Sequence, residues 1–442
     1  MKLHIGIDDT DSIKGGCTTY IAALLVDRFS QLGIEFTDYP NIIRLNPNIP
    51  FKTRGNAAVA LRVQIADSAY EYVQEAVLRT VEDNCRLQDE RTDPAIVLVQ
   101  GSPTGRIKRL SREALTDIVP PQRAIRALKH SNALAVCYGS ALGLVGAVSA
   151  VGQGLNGDYT FELVAYREPR NRGKPRLVDR ASVVRMDGMT TPETFNNYDS
   201  DNRRVLIAPH GPDPVLLGVR GETPDVVVRA FRLIRLREPV ERWVIFRTNH
   251  GTDAHLPNTL LNQGIELNRP VILSGRVLER PERIAGGHVF FKLKHKNSIV
   301  QCAAFEPTGR FKEVVAGLVP GDEVMVFGGV KQNDRVHPPT VNLEKLIIRR
   351  LSDDIAIENP KCSRCGKHMK SVGEGQGFRC VRCKLGSSHQ PKLVLRKPRV
   401  IRPGVYLPDK RAQRHLTKPL SRYGFEKRRW SKEPPTGTWH KP

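Results

Sequence analysis

The chain has 442 residues, 40% of them hydrophobic, and a formal net charge of +23. No apolar run is long enough to span a bilayer, and Cys17, Cys85, Cys137 and Cys302 are scattered singly, which argues against both a membrane protein and a disulfide scaffold. The expectation is a protein of the reducing cytoplasm, without a signal peptide (Met1 and Lys2 run straight into strand-like sequence) and long enough for about three domains.

The charge is unevenly spread. Residues 361–442 hold 22 Lys plus Arg against 4 Asp plus Glu, or +18, whereas the first 360 hold 47 against 42, or +5. A cationic module on a near-neutral body fits a polyanionic partner, with nucleic acid first.

Residues 3–7 alternate as a β-strand and end in Asp8-Asp9-Thr10-Asp11-Ser12. A Gly15-Gly16 turn and Cys17-Thr18-Thr19 follow, and from Tyr20 to Gly33 the apolar residues recur at helical spacing. A polar, Pro-rich block at 44–56 precedes a strand at 57–63, and residues 66–83 and 111–129 read as helices. A second, strand-rich α+β unit is expected from Ala133, where Gly139, Gly143 and Gly146 interrupt an apolar stretch. Within it, 159–166, 203–208, 214–219 and 243–246 read as strands, 225–235 as a helix, and 182–198 as helical in part.

The third unit has five strand-like runs, 270–280, 288–295, 299–306, 322–330 and 341–349, with room for a short helix at 308–318. That count and placement predict an OB-fold, a small Greek-key barrel that binds single-stranded nucleic acid. Next come Cys362, Cys365, Cys380 and Cys383, spaced C-x2-C-x14-C-x2-C. Two such knuckles close a tetrahedral Zn²⁺ site, and four protein ligands leave no open position for catalysis. Gly366 and Gly386 are expected to supply the unusual backbone angles of the knuckles. Beyond residue 388 the chain is rich in Pro, Lys and Arg, with Tyr406, Tyr423, Phe425, Trp430 and Trp439 interleaved; these aromatics either stack on bases or dock the tail on the body.

The best candidate for chemistry is the acidic loop. Asp8, Asp9 and Asp11 crowd three carboxylates into four positions, and such density is relieved by a hard cation such as Mg²⁺ carrying a nucleotide. The helix starting near Thr18 offers N–H groups to a phosphate, with Thr18 itself reading as an N-cap. Lys52, Arg54 and the Gly55-Asn56 turn form a second candidate phosphate clamp. Neither a GxxxxGK[ST] nor a GxGxxG phosphate loop is present, which disfavours a standard P-loop kinase.

Taken together, G-I-D-D-T-D-S at 6–12, G-G-C-T-T-Y at 15–20 and R-L-N-P-N-I-P-F-K-T-R-G-N at 44–56 resemble the archaeal isoleucine-tRNA agmatidine (2-agmatinylcytidine) synthetase family. So do D-Y-T-F-E-L-V-A-Y-R at 158–167, P-H-G-P-D-P at 209–214 and R-T-N-H-G-T-D-A-H at 247–255. The resemblance fades after residue 390, where only basic character matches. It implies a multidomain α+β chain: an unusual kinase-like, ATP-binding domain (1–132), a ferredoxin-like domain (133–266), an OB-fold β-barrel (267–352), a zinc ribbon (353–390) and a basic C-terminal segment (391–442). The implied activity is ATP-dependent attachment of agmatine to carbon 2 of the wobble cytidine in an isoleucine tRNA with a CAU anticodon, by a monomer.

The resemblance also makes Thr18 a residue phosphorylated from ATP, overriding the N-cap reading. Asp8, Asp9 and Asp11 would hold Mg²⁺, and Lys52, Arg54, Gly55 and Asn56 would bind ATP. Agmatine's guanidinium prefers a bidentate carboxylate, for which Asp213, Asp187 and Asp199 are candidates; each also fits as a structural acid. Two alternatives remain: a non-catalytic tRNA-binding protein using its OB-fold and zinc ribbon, and a kinase acting on its own threonine.

Overall fold

The computed structural model describes residues 1–12, 15–52, 55–256, 265–332, 338–388, 390–427 and 434–441. Its largest feature is one eleven-stranded sheet shared by the first two units. The strand Lys2–Asp8 lies between Ala57–Gln64 and Ala95–Gln100, antiparallel to both. Asn41–Arg44 borders Ala57–Gln64 and joins the halves: it pairs in parallel with Val240–Thr248, with Arg247 opposite Asn41. The second half continues antiparallel through Thr160–Arg167 to Val215–Gly221. The sheet junction therefore sets the geometry between the two units.

The helix Leu142–Gly152 crosses Lys2–Asp8 and its two neighbours. It comes so close that a Cβ on Gly6 would sit 2.2 Å from the Ala147 carbonyl oxygen, which requires glycine there. Successive strand residues face opposite ways, so Ile5 and Ile7, both fully buried, pack on the other side. The helix Thr18–Gln31 packs on Ala57–Gln64 and on Tyr70–Asn84, and buries Ile21, Leu25, Val26 and Phe29 at helical spacing.

Three expectations from the sequence change here. The strand Ala133–Cys137 pairs with Ala95–Gln100 at the outer edge of the first half-sheet, so it is not the opening of the second unit. The predicted helix at 111–129 is two helices, Gly105–Glu113 and Pro121–Leu128, because Pro120 and Pro121 break the backbone ladder between them. In 182–198 only Arg180–Thr190 is helical.

The third unit is a closed five-stranded barrel of Pro270–Val277, Val289–His295, Ser298–Ala304, Glu323–Lys331 and Thr340–Arg350. Closure comes from Arg276 and Val277 pairing with Lys294 and Leu293, and from the parallel pair Ser298–Ala304 with Thr340–Arg350. The zinc ribbon stands on a two-stranded arm, Asp354–Glu358 with Leu393–Lys397.

The tail is a packed structural element. Gly404–Tyr406 adds a strand to the barrel, and His440–Lys441 adds one to the main sheet beside Trp243. Trp439 is 9% exposed and meets Phe36 and Tyr39 edge-on at 5.2 and 6.1 Å. Burying an indole of this size contributes roughly 4–6 kcal/mol before ordering costs. Trp439 thus docks the tail; Tyr406, with Leu346 as its strand partner, does so too. Trp430 lies outside the described residues. No described helix is long and apolar enough to cross a membrane.

Candidate functional site

Two cavities meet at the start of the helix Thr18–Gln31. The first is lined by Asp8, Asp9, Asp11, Thr18, Lys52, Gly55 and Asn56 together with the apolar Leu45, Ile49, Phe51, Ile118, Val119, Leu142 and Val145. A lining that combines ionic and apolar groups suits a nucleotide, with its charged phosphates and its flat base. The acidic loop and the 52–56 turn, separate in the sequence, share this one pocket. Arg54 lies outside the described residues.

The acidic loop is built tightly. Gly16, at φ +83°, folds the turn back so closely that a Cβ would lie 2.7 Å from the Thr10 carbonyl oxygen. Gly146 of the overlying helix has its Cβ position 1.6 Å from Asp8 Oδ2, so any side chain there would displace the carboxylate. Burial and the Asp9 charge together push the Asp8 carboxyl well above the usual carboxylate range. A divalent cation would reverse that penalty, and the donor set is all hard oxygen, so these residues fit Mg²⁺.

Thr18 is the first helical residue and Cys17 the N-cap, without a side-chain cap bond. The Thr18 amide is not offered to a ligand: it donates to Asp11 Oδ1 at 2.9 Å. The Thr18 hydroxyl lies 2.9 Å from the Thr10 hydroxyl and 3.3 Å from Asp11 Oδ1. Lys52 is held down to about 8 by burial and by the neighbouring Arg414 and Lys331 charges, and its ammonium donates to the Pro47 carbonyl. Asn56 uses its amide to hold the Asn46 carbonyl at 2.9 Å, fixing the turn.

The second cavity is a cleft between the half-sheets. Asp11, Thr18, Gly55 and Ala57 line it as well as the first cavity, so Thr18 sits on a shared wall. Opposite lie Glu162, Asp213 and Arg220 of the second unit, Arg44, and two tail residues, Arg411 and His415. Asp213 is 7% exposed and pairs with Arg176 at 3.3 Å. The other two acids proposed for a guanidinium are engaged elsewhere. Asp187 accepts from the Asn197 amide at 3.0 Å, bracing the end of its helix. Asp199 accepts from the Asn202 amide at 3.0 Å and from the Arg411 backbone at 3.3 Å, anchoring the tail.

Glu162 is the buried centre of the cleft. Burial acts to raise it, but Arg220 at 3.0 Å and His250 at 3.5 Å, with Arg44 beyond, pull it below the usual range. Burial and Arg220 in turn lower His250 to about 3. None of Arg44, Glu162, Arg220, His250, Arg411 or His415 was singled out from the sequence. The signal was there in the motifs at 44–56, 158–167 and 247–255, but nothing in residue spacing joins them.

The four ribbon cysteines lie together. Tetrahedral Zn–S bonds of about 2.3 Å put sulfurs about 3.8 Å apart. All four Sγ atoms fall within 4.8 Å of one another, with Cys365 and Cys380 at 3.6 Å, so the residues fit Zn²⁺. Gly366 supplies the left-handed residue of the first knuckle at φ +71°, but in the second that place is taken by Lys384 at φ +58°; Gly386 is in a strand.

The fold and its cavities define a class: a multidomain chain that joins a nucleotide pocket to an OB-fold and a zinc ribbon. Family models match throughout: the TiaS TCKD domain at residues 4–138, the TiaS FLD domain at 142–255, an OB-fold nucleic acid binding domain at 271–348 and the TiaS C-terminal zinc ribbon domain at 359–401. The isoleucine-tRNA 2-agmatinylcytidine synthetase TiaS of Staphylothermus marinus is 41% identical over 98% of this chain and 96% of its own. That of Archaeoglobus fulgidus is 40% identical over 97% and 99%. A solved complex of TiaS with its isoleucine tRNA and ATP superposes with a TM-score of 0.87 at 38% identity. A complex of TiaS with the same tRNA, AMPCPP and agmatine superposes with 0.85 at 37%, and each covers 96% of this chain and 97% of the other. The chain belongs to the TiaS family of isoleucine-tRNA 2-agmatinylcytidine synthetases.

Proposed function

We propose that this chain joins agmatine to carbon 2 of the wobble cytidine of an isoleucine tRNA with a CAU anticodon, using ATP. The observation that carries the reading is Thr18 on the wall common to the nucleotide pocket and the cleft.

The cytosine carbonyl oxygen is a poor leaving group. Transfer of a phosphoryl group from ATP to that oxygen makes it a good one. The neutral amine of agmatine then forms the C–N bond as the C–O bond breaks and phosphate leaves. The apolar side chains of the first pocket would take the adenine, and Lys52, Gly55 and Asn56 the phosphates. Asp8, Asp9 and Asp11 would hold Mg²⁺, which would supply positive charge beside the phosphates. Thr18 would accept the phosphoryl group as its bond to ADP breaks and pass it on to the cytosine oxygen, and Asp11, 3.3 Å from the Thr18 hydroxyl, would take that hydroxyl's proton. Of the three acids proposed for agmatine, Asp213 alone lines the cleft, and agmatine's guanidinium would share its carboxylate with Arg176 at 3.3 Å. The OB-fold and the zinc ribbon hold the RNA. A purely RNA-binding role is disfavoured by the nucleotide pocket, since clustered carboxylates repel a polyanion. The test is nucleoside analysis of the CAU-anticodon isoleucine tRNA after incubation with the protein, ATP and agmatine: agmatidine at the wobble position is expected, and unmodified cytidine would refute the reading.

A further inference from the structure

The cleft holds more positive charge than its own acids use. Arg176 answers Asp213, and Arg220 answers Glu162 through its Nε at 3.0 Å. Arg44 makes no contact ion pair among the described residues; the acids whose charge reaches it are Glu162, which Arg220 already bonds, and Asp11, which holds the Thr18 amide. Its Nε is buried and without a hydrogen-bond partner, and its side chain forms no ion pair there. An arginine cannot shed its proton to escape such a site, so a guanidinium in a cleft with no contact ion pair and no acceptor on its buried Nε points to a further anion beyond those acids.

The tail faces it. His415 sits beside Arg44, whose charge is the largest reason that its ring is held well below the usual histidine range. Its ring meets that of His250 edge-on at 5.1 Å. Arg411, four residues earlier, lines the same cleft, and its side chain is likewise without an ion pair among the described residues. Both positions are fixed from outside the cleft. The Gly251 amide donates to the His415 carbonyl at 2.8 Å, the Asp253 amide to the Leu416 carbonyl at 2.7 Å, and the Lys418 amide to the Asp253 carboxylate at 2.8 Å. Arg422, with no exposed surface, then pins the strap through Asp158 at 3.0 Å and Glu222 at 2.5 Å.

We propose that Arg44, Arg220, Arg411 and His415 form a phosphate-binding subsite beside Thr18, half of it supplied by the C-terminal tail. The ligand is a tetrahedral phosphate oxyanion, for which guanidinium forks are the matched donors. It has two sources in the reaction proposed above, on which this inference rests: a phosphodiester of the tRNA next to the modified cytidine, or the phosphate that leaves as the C–N bond forms.

The probe is inorganic phosphate, titrated by calorimetry into the full-length, zinc-loaded protein without nucleotide or added magnesium. Arg44→Met and Arg411→Met are each expected to weaken binding roughly tenfold, the loss of one charge-assisted contact. Arg79→Met, on the exposed face of the helix Tyr70–Asn84 and outside both cavities, leaves the same event in place. Arg411 is exposed, so its variant folds even if the Arg44 variant does not. Repeating the titration with the isoleucine tRNA bound separates the sources: disappearance of the event assigns the subsite to an RNA phosphate, and persistence assigns it to the leaving phosphate. Wild-type phosphate affinity in both the Arg44 and Arg411 variants, or an equal loss in Arg79→Met, overturns the proposal. No agmatine or cytidine substrate is consumed in the titration, so failure of the ligase reading would leave this result standing.

Discussion

The two cavities that meet at Thr18 are opposite in charge and in construction. The nucleotide pocket draws much of its polar lining from two short segments, the acidic loop and the 52–56 turn, beneath a helix that two glycines bring close. The cleft is cationic and assembled from at least five segments: Arg44, the Glu162 and Arg220 strands, His250 and the tail. One side suits a cation-bound nucleotide, and the other suits phosphate that has left it. The lesson is that a single hydroxyl can serve both only if it stands on their common wall, and the sheet junction at Asn41–Arg44 and Val240–Thr248 is what puts it there.

The comparison breaks first at Thr18. Thr18→Ala is expected to lower agmatidine formation by about 10³-fold or more while ATP affinity stays within about twofold. Thr18→Ser, which keeps the hydroxyl, should recover part of the activity. Rates near wild type for the alanine variant would show that the shared wall is incidental.

Asp8→Asn tests the acidic side. With Asp8 already pushed toward its neutral form by burial and Asp9, the amide costs little to the fold. Magnesium-dependent ATP turnover should nevertheless fall on the order of 100-fold, with tRNA affinity unchanged. Turnover equal to wild type across a magnesium titration would reduce the loop to a turn.

Arg422→Met tests the opposite side. It leaves the buried Glu222 and the half-buried Asp158 with only lysines to answer them. Breaking such a pair costs about 3–5 kcal/mol. Ligation should fall with the strap while ATP binding persists; equal loss of both would show that the two cavities are not separable.

The smallest effect expected is in Lys52. Its ammonium is present below about pH 8 and is lost as pH rises through that value. ATP affinity measured by titration should therefore decline above pH 8 by up to roughly tenfold, and in Lys52→Met the affinity should be lower and flat. A pH-independent wild-type affinity would remove Lys52 from the phosphate contacts.

How much of this could be read from the chain follows the same division. That Asp8, Asp9 and Asp11 come together beside Thr18 was legible because a strand, a loop and a helix start keep them within eleven residues, but Thr18 itself read as an N-cap until the family resemblance gave it another role. The five barrel strands and the cysteine knuckles were legible for the same local reason. The cleft was not, since Arg44, Glu162, Arg220 and His415 are joined only by sheet topology and tail docking. The tail also misled as to charge. Arg399 pairs with Asp322 at 2.6 Å, Arg414 with Glu344 at 3.1 Å, and Arg422 with two acids, so part of the +18 is engaged inside the protein. Gly143 and Gly146 read as interruptions, but they allow a helix to lie on the acidic loop. Asp187 and Asp199 show why an isolated acid is weak evidence: each braces a nearby turn.

The central claim, that Thr18 connects the two cavities by carrying phosphate, is tested most directly by peptide mass spectrometry of the protein after incubation with ATP and magnesium alone. The account predicts a phosphoryl group on the peptide containing Thr18, absent from Asp8→Asn. Full agmatidine synthesis by a protein whose Thr18 never carries phosphate would contradict it.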